Sequence, residues 1–210
     1  EIPISIESPS YYGKDVKGGE EVLIWADVIH EPSATYIAIH FDSFHIAKGD
    51  RLIITDASGG QKYVLTNKGK MGAGRFWSQH VKGDTVILQL ISTGNTGGKG
   101  FKIDKYSAGT LEFNRKLPEQ WIENICGAND RSNAVCFVTS HPLEYSRTRP
   151  LARLLINGGY LCTGSLITTN DFFLTNEHCI TSPEDALNTD YEFMAEAANC
   201  DDVNCQLCYD

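Results

Sequence analysis

Between residues 20 and 106 the chain alternates short apolar runs with glycine-rich breaks. The runs TYIAIHFD (35–42), RLIITD (51–56), DTVILQLIS (84–92) and GFKIDKY (100–106) are rich in β-branched and aromatic residues and partly alternate, which predicts strands. The breaks KGD, ASGGQ, KGKMGAG and GNTGGKG supply glycine where tight turns need a positive φ. Several short strands at this spacing predict a β-sandwich. His40 and Asp42 alternate with Ile39 and Phe41, so the pattern puts them on a solvated strand face. Further on, CTGSLI (162–167), DFFLT (171–175) and YEFMAEAANC (191–200) read as strands. SPEDAL (182–187) reads as a short helix, with Ser182 as N-cap, Pro183 in its first position, and Glu184 and Asp185 at its positive end. The apolar positions of TLEFNRKLPEQWIENI (110–125) predict a connection that packs between two halves.

Composition sharpens the division. The chain has 210 residues, of which 41% are hydrophobic, enough for one large or two small cores. Its net charge of −9 is uneven: residues 1–110 carry 12 basic and 12 acidic side chains, residues 111–210 carry 6 and 15. Without a Lys/Arg cluster to displace counterions, binding to nucleic acid or to an acidic lipid surface is not expected. No apolar run reaches the roughly 20 residues of a membrane span. All seven cysteines (Cys126, Cys136, Cys162, Cys179, Cys200, Cys205 and Cys208) lie beyond residue 110. That density predicts disulfides and a secreted or cell-surface location, and the EIPIS start fits removal of a signal peptide. Zinc is the alternative, but the Cys205–Cys208 C-x-x-C pair has no second pair to complete four ligands. No metal or cofactor is predicted.

In the first half, SPSYYG, the run YIAIHFDSFHIAKGDRLIITDASG and the closing GFKIDKY resemble in order the start, central strand pair and end of a CUB domain. The resemblance implies a jelly-roll β-sandwich over residues 1–109. Many CUB domains bind calcium through an acidic triad; here only Asp50 matches, with non-acidic residues near Ala47 and Gly94, so calcium is not expected. His30, His40 and His45 lack ligand spacing. Tyr11, Tyr12, Trp25, Phe76 and Trp77 offer either a carbohydrate-stacking surface or core filling, the second being the commoner use of aromatics.

In the second half, CTGSLI and FLTNEHC (173–179) resemble, in order and spacing, the C-G-G-S-L-I strand and L-T-A-A-H-C motif of trypsin-like serine endopeptidases. Early cysteines like Cys126 and Cys136 are similar to those of the bacterial lysyl-endopeptidase branch. The fold class implied is all-β: a CUB-like sandwich at 1–109, a packed connection at 110–125, and the first β-barrel half of a trypsin-like fold at 126–210. The resemblance makes His178 the general base, which takes a proton from the attacking hydroxyl and returns it to the leaving amine. It implies a Cys162–Cys179 disulfide and a second from Cys136 to Cys200 or Cys205, and leaves Cys126 to bond a cysteine of the other barrel. Asn176 and Glu177 depart from the small residues that precede the family's histidine.

The family's acid and serine lie further beyond the histidine than this sequence extends. Asp185, Asp190, Asp201 and Asp202 follow it too closely to match the acid. Ser58 in DASGG (56–60) fits a hairpin turn, and Ser165 is a strand serine by family position. Arg147, Arg149 and Arg153 offer a partner site or a solvated loop. Two functions follow. One is a secreted serine endopeptidase broken off at Asp210, acting on a protein substrate, with residues 1–210 by themselves inactive for want of a nucleophile. The other is a non-catalytic homologue that serves as an extracellular binding, scaffold or assembly protein.

Overall fold

The computed structural model of the chain describes residues 1–9, 20–110 and 132–201. Tyr11, Tyr12, Cys126, Asp202, Cys205 and Cys208, and all of the expected connection except Thr110, lie outside them. The regular structure of the described residues is mostly β, in three antiparallel sheets.

Two sheets form the N-terminal half. One has the order β1-β9-β3-β6, with β7 also on β3; the other is β2-β8-β4-β5. The strands are β1 (Ile2–Glu7), β2 (Val22–His30), β3 (Ala34–His45), β4 (Arg51–Asp56), β5 (Lys62–Leu65), β6 (Phe76–Trp77), β7 (Val81–Lys82), β8 (Thr85–Ser92) and β9 (Gly100–Thr110). The four runs expected to be strands are the cores of β3, β4, β8 and β9. In β8 the burial alternates without a break, from Val86 through Leu88 and Leu90 to Ser92, as a strand with one face on a core should. Between the sheets lies one apolar core, in which Phe41, Phe44, Phe76 and Phe101 meet at centroid distances of 5.1 to 6.0 Å. Trp25 packs edge-on against Phe101. Of the candidate stacking aromatics that are described, Trp25 and Phe76 pack in or against this core, whereas Trp77 is buried on the opposite face of its sheet, beside His40. Asp50 is fully buried and accepts hydrogen bonds from the Ser92 hydroxyl and from the Thr93 amide and hydroxyl. Its carboxylate therefore ties β8 to the turn before β4.

The C-terminal half is a third sheet, ordered β12-β11-β10-β13: β10 (Leu151–Ile156), β11 (Tyr160–Leu166), β12 (Phe173–Thr175) and β13 (Thr189–Phe193). Two short helices accompany it, α1 (Pro142–Ser146) and α2 (Pro183–Leu187). In α2 the Ser182 hydroxyl accepts from the Asp185 amide, the N-cap geometry its sequence predicts. The strand expected over YEFMAEAANC is shorter than its sequence implies. It ends at Phe193, where Met194 turns to a φ of 58°.

The halves pack through the outer face of the sheet carrying β3. The Asn157–Gly159 turn joining β10 to β11 lies on this face. Gly158 has a φ of 77°, and a Cβ there would meet the Trp77 ring at 2.6 Å. The Tyr36 hydroxyl donates to the Gly158 carbonyl at 3.3 Å. Contrary to the alternation in its sequence, His40 is buried, bonded through Nδ1 to Asp104 at 2.5 Å and packed beside Trp77. Alternation identifies which side a residue faces. It does not reveal that a distant segment will cover that side. Asp42, two residues on, is exposed.

Gly158→Val should lower stability by about 2 kcal/mol or more, because it adds left-handed backbone strain to a clash with an indole. Urea unfolding of the full chain would measure it; an unchanged midpoint would mean that this turn does not bear on the sandwich.

Candidate functional site

The third sheet positions the segment with the sequence CTGSLI…LTNEHC. Cys162 lies on β11 opposite Leu154 of β10, and β11 pairs with β12 from Gly164 opposite Thr175 to Leu166 opposite Phe173. Gly164 cannot carry a side chain here: a Cβ would stand 2.2 Å from the Phe173 ring and 2.6 Å from the Leu174 carbonyl. The neighbouring Thr163 is exposed, so this position tolerates a side chain. The Thr175 hydroxyl donates to the Thr163 carbonyl at 2.8 Å and locks the end of β12 to β11.

Directly after β12, Asn176 to Cys179 form a tight turn closed by the Cys179 amide on the Asn176 carbonyl at 3.0 Å. Cys179 is buried and disulfide-bonded to Cys162 across 17 residues, a closure worth about 3 kcal/mol by the loop-entropy argument. A second disulfide joins Cys136 to Cys200. The turn holds the His178 side chain in the open, and Glu177 beside it is exposed too. One ring nitrogen of His178 and the two sulfurs lie within 4.8 Å of one another. Both sulfurs are spent in the disulfide, so this cluster lacks the thiolates a metal would need.

No described carboxylate hydrogen-bonds the His178 imidazole. Asp185 accepts from the Thr181 amide and hydroxyl and from the Asn157 side-chain amide, and these bonds pull its pKa from 3.8 to about 2. Asp190 points the other way, to the sandwich, and the exposed Asp201 lies in the turn after Asn199. Ser165 donates to the Leu166 carbonyl at 3.1 Å. Ser58 lies with Asp56 in the exposed turn between β4 and β5, where the serine's hydrogen bond holds the Asp56 carboxyl below its ordinary range. Neither serine is placed by the described chain as a partner of His178. A groove of about 810 Å³ opens beside the histidine turn, lined by Leu151, Thr163, Leu174, Asn176, Met194 and others.

Of the arginines noted in the sequence, Arg147 and Arg149 are exposed. Arg153 instead lies in β10 and grips the Glu192 carboxylate through Nε at 3.0 Å and through Nη2. The residues that sequence reasoning missed are those that tie the halves together: His80, Asn188, Asp190 and Glu192. A signal existed, since in TDYEF (189–193) two carboxylates fall on one strand face while Tyr191 and Phe193 fall on the other.

Residues 139–203 match the family model described as Trypsin. The C-terminal half is trypsin-like. Over 199 residues the chain is also 29% identical to "Secreted RxLR effector protein 73" of Plasmopara viticola, a match that covers 87% of this chain and 47% of that protein. The chain thus spans about half the length of the curated relative it matches. Within the trypsin-like half, the matched region takes in β10 to β13, both cysteines of the disulfide that pins the histidine turn, and His178 itself.

Two outcomes follow from this geometry. Replacing Cys162 and Cys179 together by alanine should cost about 3 kcal/mol and raise amide exchange in the histidine turn; unaltered exchange would show that the turn holds without its cross-link. Asp185 has a depressed folded-state pKa, so its contribution is present in full above 3.8 and is lost as pH falls toward about 2. Asp185→Asn should therefore lower the melting midpoint at pH 7, and the gap should close between about pH 4 and pH 2.

Proposed function

We propose that this chain is the N-terminal part of a secreted trypsin-like serine endopeptidase, in which the third sheet belongs to the first barrel and supplies His178 as general base. The observation that carries the reading is the exposed imidazole on a tight turn pinned by the Cys162–Cys179 disulfide. Such a base must be fixed in place, yet open toward the hydroxyl it deprotonates and the amine it later protonates. An acid to orient its Nδ1 and a nucleophilic serine come from polypeptide other than the described residues. The first half is a CUB-like module, a reading supported by its two antiparallel sheets around one core. Secretion is supported by two disulfides and by the word "secreted" in the relative's name.

A second reading, a non-catalytic homologue that binds a protein outside the cell, is favoured by one observation. Leu151, Leu174 and Met194, which line the groove next to His178, are exposed, as a contact surface would be. The relative's description as an effector is compatible with either reading.

A fluorophosphonate probe on the full-length, folded protein decides between them. The enzyme reading expects labelling of one serine, and His178→Ala should cut the labelling rate by about 10⁴-fold. No labelling of that protein would discard the enzyme reading and leave the binding one.

A further inference from the structure

The two halves differ in what holds them together. Among the described residues the sandwich core contains 18 buried apolar residues, whereas the core of the trypsin-like half contains four: Ala152, Leu154, Ile156 and Cys179. A sheet with so little interior needs support from elsewhere. It receives that support over three consecutive residues at the start of β13. The Asn188 side-chain oxygen accepts from the Trp77 amide at 2.9 Å, and the Thr189 carbonyl accepts from the Lys70 ammonium at 3.1 Å. Asp190 Oδ2 accepts from the His80 amide at 3.0 Å and meets His80 Nδ1 at 2.6 Å. On the same face, Glu192 Oε1 stands 4.0 Å from His80 Nε2. These donors belong to the segment from Lys70 to His80 of the sandwich, and each is directed to a backbone, carboxamide or carboxylate oxygen of the trypsin-like half.

We propose that the sandwich is a built-in scaffold for the trypsin-like half: it holds β13 in register from outside, and the two form one obligatory folding unit rather than a detachable module and its cargo. The partner of the sheet's outer face is thus the His80, Trp77 and Lys70 surface of the same chain. The reason is geometric. β13 pairs with β10 from Thr189 opposite Ile156 to Phe193 opposite Ala152, so fixing Asn188 to Asp190 fixes where that pairing begins. The inference is independent of whether His178 catalyses.

The test places a recognition site for a specific protease between residues 111 and 125 of the full chain and cuts it under native conditions. The expected result is co-elution of the two pieces at the mass of the intact chain. With His80→Ala and Asp190→Ala together, their association should weaken at least about tenfold, the usual cost of truncating a buried hydrogen-bonded pair. In the uncut double variant, β10 and β13 amides should exchange at least about tenfold faster, while those of β4 and β8 keep their rates. If the double variant does not accumulate, Lys70→Met removes one contact and should raise β13 exchange severalfold. Separate elution, with the C-terminal piece still folded and its β13 amides still protected, would overturn the proposal. So would unchanged β13 protection in the variants.

Discussion

The Asp190 carboxylate joins the two halves of this molecule. It is largely withdrawn from water, a situation that taken alone would raise its pKa; the hydrogen bond and charge of His80, with the His80 amide and Lys70, overcome that and hold it below its ordinary value. One residue, His80, supplies two of its contacts, from main chain and side chain. Removing either partner takes from the other its short side-chain hydrogen bond in a buried setting, which costs about 3 kcal/mol or more in comparable sites. From Asp190 the constraint passes inward in steps: Asp190 lies opposite Leu155 on β10, and the adjacent Leu154 lies opposite Cys162 on β11. Cys162 is bonded to Cys179, and Cys179 closes the turn that carries His178. The exposed histidine is positioned by a chain of contacts that starts in the other half.

The polar character of this contact has a structural logic. The sandwich meets the third sheet over small and flat groups: Ala38 and Ser107 are buried on the covered face, and Gly158 and Gly159 approach Trp77 and Ser107 from the other side. Small apolar surfaces slide over one another at little cost, so they fix distance but not register. Directional bonds at Asn188, Thr189 and Asp190 fix the register, since a shift of one residue would turn both carboxylates of β13 to the opposite face. Arg153 reinforces the same face by holding Glu192.

How much of this was legible in the sequence depends on how local the cause is. RLIITD is β4 to the residue, and SPEDAL forms the helix its capping residues require, because both patterns are set within a few neighbours. The tight turn and the disulfide bearing His178 sit within the motif FLTNEHC, where cysteine, histidine and strand are adjacent in the chain. His40 went the other way. Its neighbours describe a strand with one wet face, and the segment that covers that face lies more than a hundred residues later. The pairing of His80 with Asp190 spans 110 positions for the same reason. The two carboxylates of TDYEF pointed to a polar contact, but nothing in five residues could name its partner.

The uneven placement of cysteine follows from the uneven cores. A sandwich with a core of this size withstands unfolding through apolar burial, and no cysteine occurs before Cys126. The trypsin-like half buries far less within its own described sheet, and it carries the two disulfides found among the described residues, across 64 and 17 residues. In the loop-entropy model, cross-links of those spans act chiefly by depriving the unfolded chain of freedom, by about 4 and 3 kcal/mol. Such a gain restricts where the segment can go without telling it which register to adopt. The cross-links and the Asp190 contact are therefore complementary: the first keep the trypsin-like strands close together, and the second selects the one arrangement in which β13 lies flat against the sandwich. Either alone would leave the turn at His178 without a fixed frame.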